Sequence, residues 1–137
     1  MISYGAVSDA PTSRALQQAE RRLRNLEAGD WVDVDDYETN WESRGISSNY
    51  EPQYRTVGDW VELRGLMDTT AVRSTFAGML TLPSGFRPSR RVHRTVWTEG
   101  GPSRVRVDDD GVVNYDGAYL ALGVGDWVSL DGLFFAV

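Results

Sequence analysis

The chain divides into two regions with different hydrophobic periodicity. Residues 11–28 are rich in helix-forming residues, and apolar side chains recur there at spacings of three and four: Leu16, Ala19, Leu23 and Leu26. This narrow stripe is the a/d seam of a coiled coil, and it predicts an amphipathic helix. Two packing partners fit this seam: the sheet of the helix's own domain, or copies of the same helix in a coiled coil.

From residue 30 onward the apolar side chains tend to recur at every second position. Short apolar runs alternate with polar positions and are separated by Gly, Pro, Asn and Asp, which is typical of strands and turns. Asp110-Gly111 lies between two such runs and predicts a hairpin with a type I′ turn. Many short strands separated by turns of this kind predict an antiparallel sandwich or barrel.

The tetrapeptide Gly-Asp-Trp-Val occurs three times, at residues 29–32, 58–61 and 125–128. Gly-Asp suits a turn, and the residues that follow suit the start of a strand. The intervals between the copies differ, so the pattern favours recurrent turn chemistry over a true internal repeat.

The polar stretch 36–53 fits neither period and carries two aromatic residues, Trp41 and Tyr50. Exposed loops on a rigid β scaffold often carry binding residues. The stretch is predicted to be such a loop, or a linker whose aromatic side chains tuck against the domain.

Composition excludes several functions. With 14 basic against 20 acidic residues the net charge is −6, which argues against sequence-independent nucleic-acid binding. The chain has no cysteine and one histidine, His93, so thiol chemistry and multi-histidine metal sites are excluded. No apolar run is long enough for a membrane span, and no catalytic motif is present. The sequence therefore predicts a protein that is not an enzyme and has no cofactor.

Three consecutive aspartates precede Gly111, and Asp116 follows a few residues later. A calcium loop of the EF-hand type needs oxygen ligands at alternate positions and a terminal glutamate, and both features are missing. The pattern favours a hairpin turn with solvated carboxylates over a metal site.

Four motifs occur in order, within residues 52–65, 81–90, 104–113 and 127–135. They are a Tyr-Arg pair before V-x-L-R-G, an L-P-x-G-F-R-P turn, a short Asp-Gly hairpin and a closing S-L-D-G-x-x-F strand. In this order they resemble the C-terminal β domain of tailed-phage minor tail, tail-fibre and baseplate receptor-binding proteins. The resemblance covers residues 52–137.

The residues that match these motifs belong to turns and core positions rather than to a ligand site. Phe86 is expected to cap the core, Arg87 to pair with a carboxylate, and Asp131-Gly132 to reverse the chain before the last strand. The matching scaffold residues are Leu82, Pro83, Gly85, Phe86, Arg87, Pro88, Leu130, Asp131, Gly132 and Phe135.

The resemblance implies a homotrimer in which a β-sandwich or jelly-roll head follows a short helix. The expected organisation is an anchor and trimerising helix at 1–29, a polar loop or linker at 30–53, and the head domain at 54–137. In this expected homotrimer, the helical seam joins three copies of the chain. Because Ala19 packs weakly in such a seam, the β domains are expected to help hold the trimer.

The resemblance also implies a virion structural protein of the tail, or the tail tip, that contacts the host cell surface through a glycan. The N-terminal segment would attach to other virion proteins, and neither nucleic acid nor membrane insertion is expected. Sugar recognition uses aromatic faces together with arginine and carboxylate hydrogen bonds. The candidate contacts are Trp41, Tyr50, His93 and Trp97. The alternatives are a capsid decoration or head-fibre protein without its own ligand, and a small glycan-degrading enzyme.

Overall fold

A computed structural model describes residues 13–19, 27–45 and 50–137. Residues 13–19 are helical, and the rest of the described chain is built from short strands. The strands are β1 (Val32–Asp33), β2 (Trp41–Ser43), β3 (Gln53–Val57), β4 (Trp60–Arg64), β5 (Leu66–Thr69), β6 (Phe76–Thr81), β7 (Val92–Thr98), β8 (Gly101–Val107), β9 (Val112–Asp116), β10 (Trp127–Ser129) and β11 (Phe134–Ala136).

The strands form two antiparallel sheets. The smaller sheet has the order β1-β3-β4-β11, and the larger has the order β2-β5-β10-β7-β8-β9-β6. The prediction of a mainly β, antiparallel fold is therefore confirmed.

The larger sheet is nearly closed into a barrel by the segment just before β2. Tyr37 bridges to Leu80 in β6, and the Glu38 N–H donates to the Met79 carbonyl at 2.9 Å. A few residues later the chain continues as β2, which pairs with β5 at the other edge of the same sheet, away from β6. Of the predicted loop or linker at 30–53, residues 30–45 are thus part of the β fold, since they supply β1, β2 and this closure.

Gly65 is the point where the chain passes from one sheet to the other, because β4 belongs to the smaller sheet and β5 to the larger. Its φ is +108°, a conformation that glycine adopts without strain. Its N–H donates to the Asp131 carboxylate at 2.8 Å, and its carbonyl accepts from the Leu130 N–H at 2.8 Å. Asp131 therefore also anchors the junction of the two sheets, besides standing in the predicted turn.

Alternate residues of the strands point into one continuous core. The scaffold residues Leu82, Leu130 and Phe135 are fully buried, as expected for motif positions that pack the interior. The remaining buried apolar residues are Val34, Trp41, Tyr54, Val61, Leu63, Met67, Met79, Leu80, Val96, Val105, Val107, Val113, Tyr115, Leu122, Val128 and Leu133.

The predicted hairpin at Asp110-Gly111 joins β8 to β9, but its turn is not type I′. A type I′ turn needs positive φ at both central residues, whereas Gly111, at +90°, is the only residue of this turn with positive φ. The Gly111 N–H donates to the Asp108 carbonyl and the Asp108 N–H to the Val112 carbonyl. This pattern matches a type I turn followed by a glycine bulge, the usual form of a slightly longer hairpin loop.

The turn after β6 contains the other scaffold residues. Phe86 is half-buried and packs edge-on against Tyr54, with ring centroids 4.7 Å apart, so it caps the core as expected. Arg87 does not pair with a carboxylate among the described residues; its Nε donates to the Leu82 carbonyl at 2.8 Å. Gly85 has a φ of +95° in this turn, and Pro88 is buried.

All seven residues of the helical segment 13–19 are exposed, including Ala19, and Leu16 is 60% exposed. Leu23 and Leu26, the other predicted seam residues, lie outside the described residues. Over the part of the chain that the structure describes, no helix is both long and apolar enough to cross a membrane.

Candidate functional site

A polar and aromatic surface lies on the outer side of β7 and β8. The two strands pair in register, which places His93 opposite Arg106, Thr95 opposite Arg104, and Trp97 opposite Pro102. Because neighbouring residues of a strand face opposite sides, Val96 and Val105 point into the core while these six residues point outward. We call them the β7–β8 face.

Two aspartates hold the arginines of this face by ion pairs. Arg104 Nη2 lies 3.5 Å from Asp116 Oδ2, and Arg106 Nε lies 2.8 Å from Asp108 Oδ1. Arg91 Nε lies 3.1 Å from the same Asp108 oxygen. Partial burial acts to raise the pKa of Asp108, but the hydrogen bonds and positive charges of Arg106 and Arg91 outweigh it and lower that pKa below its ordinary value. Asp108 is therefore ionised at neutral pH and fixes the position of Arg106.

Aromatic rings hold the guanidinium groups from the other side. The Arg104 guanidinium lies 4.0 Å from the ring centroid of Tyr119, and that of Arg106 lies 4.2 Å from the ring of Phe76. Cation–π contacts at this distance restrict how a guanidinium can turn. Both arginines thus present their N–H groups in a defined direction beside a carboxylate acceptor.

Two shallow depressions lie on this surface and share His93 and Arg104. The first has a volume of about 440 Å³ and is also lined by Phe76, Val105, Arg106 and Asp116. The second has a volume of about 330 Å³ and is also lined by Arg94 and Thr95. Trp97, which is 63% exposed, stands two residues beyond Thr95 on the same face of β7.

The structure separates the four predicted glycan contacts. His93 and Trp97 both lie on the β7–β8 face, whereas exposed Tyr50 precedes β3 in the other sheet. Trp41 is only 5% exposed, and its ring centroid lies 6.0 Å from that of Tyr115 in the core. Trp41 therefore offers no free ring face to a ligand, and its selection as a contact is corrected.

The arginines and aspartates of this surface were not among the contacts predicted from the sequence. A signal for Arg104 and Arg106 was present, because they alternate with Val105 and Val107 and must face away from the side that those valines bury. Asp116 and Tyr119 carried no comparable signal, since they join the site only through the pairing of β8 with β9 and the loop after β9.

A second exposed surface lies on the smaller sheet and is apolar. The rings of Trp60 and Phe134 pack with centroids 5.4 Å apart, beside a depression of about 290 Å³ that Val57 also lines. Val57 bridges to Ala28, the point where the N-terminal segment joins the sheet. We call Val57, Trp60 and Phe134 the apolar patch.

Within residues 13–19, 27–45 and 50–137, no three His, Asp or Glu side chains are grouped so that they could hold a metal ion. Asp108, from the acidic run considered above, is instead engaged by two arginines and by the Asn114 amide, which donates to it at 3.2 Å.

No protein-family model matches the chain, and no curated protein matches it significantly. Among solved structures, the chain is similar to the head domain of phage bIL170, described in a study of the receptor-binding domains of lactococcal phages. The TM-score is 0.53 at 14% sequence identity, and the match covers 79% of this chain and 97% of that one. The antiparallel β fold of this chain is thus similar to that of the phage bIL170 head domain, which agrees at the level of the fold with the resemblance found in the sequence.

Proposed function

We propose that this chain is a virion protein of a tailed phage, of the minor tail or tail-fibre type, and that its β7–β8 face binds a glycan of the host cell surface. The observation that carries the proposal is the occurrence of this face on the fold of a phage receptor-binding head domain. In this role the protein is a trimer at the phage tail and has no catalytic activity.

The β7–β8 face has the chemistry that sugars need. A sugar ring presents an apolar face, which stacks on an exposed aromatic ring such as Trp97. Its hydroxyl groups both donate and accept hydrogen bonds, and the Arg104–Asp116 pair offers N–H donors next to a carboxylate acceptor. The chain's net charge of −6 favours such local, paired contacts over general attraction to a polyanion.

We expect Trp97→Ala to weaken glycan binding at least about tenfold while leaving the fold intact, because truncating an aromatic anchor of a binding site removes about 1.4 kcal/mol or more of binding energy. The measurement is binding of the purified protein to an array of bacterial surface polysaccharides and their oligosaccharides. Tyr50→Ala is the matched control, because Tyr50 is also an exposed aromatic residue, at 44%, but precedes β3 of the smaller sheet. The proposal fails when the wild-type protein binds no glycan on the array, or when both variants lose binding equally.

Two features support the trimer. The helical segment 13–19 leaves its apolar seam residue Leu16 exposed rather than packed on the sheet. The apolar patch lies beside the place where the N-terminal segment joins the domain, through the Ala28–Val57 bridge. Parallel helices at a threefold axis would therefore bring three such patches near one another, which fits the expectation that the β domains contribute to assembly.

Light scattering of the purified protein is expected to give a mass near 46 kDa, three times the chain mass of 15.3 kDa. Leu16→Asp should lower this mass toward that of one chain, because a charge in an a/d seam opposes helix association. Gln17→Asp places the same charge on the neighbouring position and should leave the mass unchanged. A wild-type mass near 15 kDa at micromolar concentration would reject the trimer.

A further inference from the structure

We infer that the β7–β8 face is an extended site that takes a linear oligosaccharide lying along the strands, rather than a single terminal sugar. This inference rests on the proposed function, because it names the class of glycan that the same face binds.

The parts of the face form one continuous surface. The two depressions share His93 and Arg104, so they adjoin without a ridge of other residues between them. Thr95 lines the second depression and is the outward neighbour of Trp97 along β7. A ligand can thus run from Trp97 past Thr95 to His93 without leaving the face.

The length of this surface exceeds one sugar. Trp97 and His93 are four residues apart on one strand, which corresponds to about 13 Å at about 3.3 Å per residue. A single pyranose or furanose ring is shorter than this and can occupy only one end at a time.

Each end of the face supplies only part of what sugar recognition needs. At the Trp97 end, the residue directly opposite is Pro102, whose side chain has no polar group, so this end offers stacking with few polar contacts. Toward the other end, Arg106 lies opposite His93, and Arg104 with its partner Asp116 lies between the two ends, so this part of the face supplies donors and an acceptor. An oligosaccharide that covers both ends gains the stacking and the hydrogen bonds together.

The test compares a monosaccharide with its di-, tri-, tetra- and hexasaccharides, in parallel series of bacterial glucans, mannans, galactans, rhamnans and arabinans on one array. In a series that binds, affinity should rise at least about tenfold from the monosaccharide to the tetrasaccharide and then level off. Wild-type affinity that is equal for the monosaccharide and the hexasaccharide would overturn the extended site and leave the proposed function standing. Absence of binding in every series would overturn both.

Two variants at opposite ends of the face sharpen this test. On the hexasaccharide, Trp97→Ala should weaken binding at least about tenfold and His93→Ala, at the far end of the face, at least about fivefold. On the shortest saccharide that binds, only one of the two should have an effect, because that ligand reaches one end. Equal effects of both variants at every length would contradict a site with two separate ends. Unchanged melting temperatures show that these variants are folded, as expected for exposed side chains.

Discussion

Gly65→Ala is expected to lower the free energy of unfolding by about 3 kcal/mol or more, the largest effect of any conservative substitution proposed for this chain. A Cβ at this position would lie 2.4 Å from the Glu51 carbonyl oxygen and 2.6 Å from the Pro52 Cα. Both atoms belong to the backbone, so the clash is relieved only by moving β3 or by moving the junction between the two sheets. The φ of +108° adds the strain that an L-residue has in this conformation.

Gly101→Ala separates these two causes. Gly101 has nearly the same φ, +115°, but a Cβ built there meets no atom within 4 Å. This variant should therefore carry only the conformational strain, about 1–2 kcal/mol. Urea unfolding of the wild type and both variants gives the comparison. Equal losses for the two variants would show that the strand can shift at Gly65 and that the close approach to Glu51 is not rigid.

The sequence could predict the class of the fold because strand period and turn chemistry are local. The scaffold residues Leu82, Leu130 and Phe135 are buried as their motif positions require. The role of Gly65 could not be predicted, since a glycine after a strand usually indicates its end. Here the chain continues directly into a strand of the other sheet. That path is set by contacts with Glu51 and Asp131, which are far from Gly65 in the sequence.

The three copies of Gly-Asp-Trp-Val show the limit of local information. Two of them behave as predicted, with Gly58 and Gly125 in turns at positive φ and strands that begin at Trp60 and Trp127. The tryptophan rings of the copies nevertheless have different neighbours. The ring centroid of Trp31 lies 4.3 Å from the Arg55 guanidinium and 4.0 Å from that of Arg64, whereas Trp60 is exposed. The same tetrapeptide thus occurs in different environments, because strand pairing far along the chain decides what covers each ring.

Two of the predicted glycan contacts, Trp41 and Trp97, differ in burial. Trp41 lies in a polar stretch that reads as a loop, yet its pairing with Thr69 of β5 places it over the core, against Tyr115. Trp97 is the neighbour of Val96 in β7, and because Val96 is buried, Trp97 faces outward. Which of these two rings is buried was therefore decided by the pairing and facing of the strands, which the sequence alone did not give.

Phe135→Ala is the second substitution with a large expected effect. Phe135 is fully buried in the last strand, and removing a buried phenylalanine ring costs about 3–5 kcal/mol through lost transfer energy and the cavity left behind. That is a large part of the 5–15 kcal/mol by which a domain is typically stable. The measurement is the free energy of unfolding in urea, with tyrosine and tryptophan fluorescence as the signal.

Phe134→Ala is the matched control, because the two residues are neighbours in β11 and have the same side chain but face opposite sides of the sheet. Phe134 is 49% exposed and packs on Trp60, so its removal should cost at most about 1.5 kcal/mol, the usual worth of one aromatic pair. In a trimer held partly by the apolar patch, Phe134→Ala should instead reduce the mass measured by light scattering. A stability loss as large as that of Phe135→Ala, without any change in mass, would mean that the patch supports the fold of one chain and does not join copies.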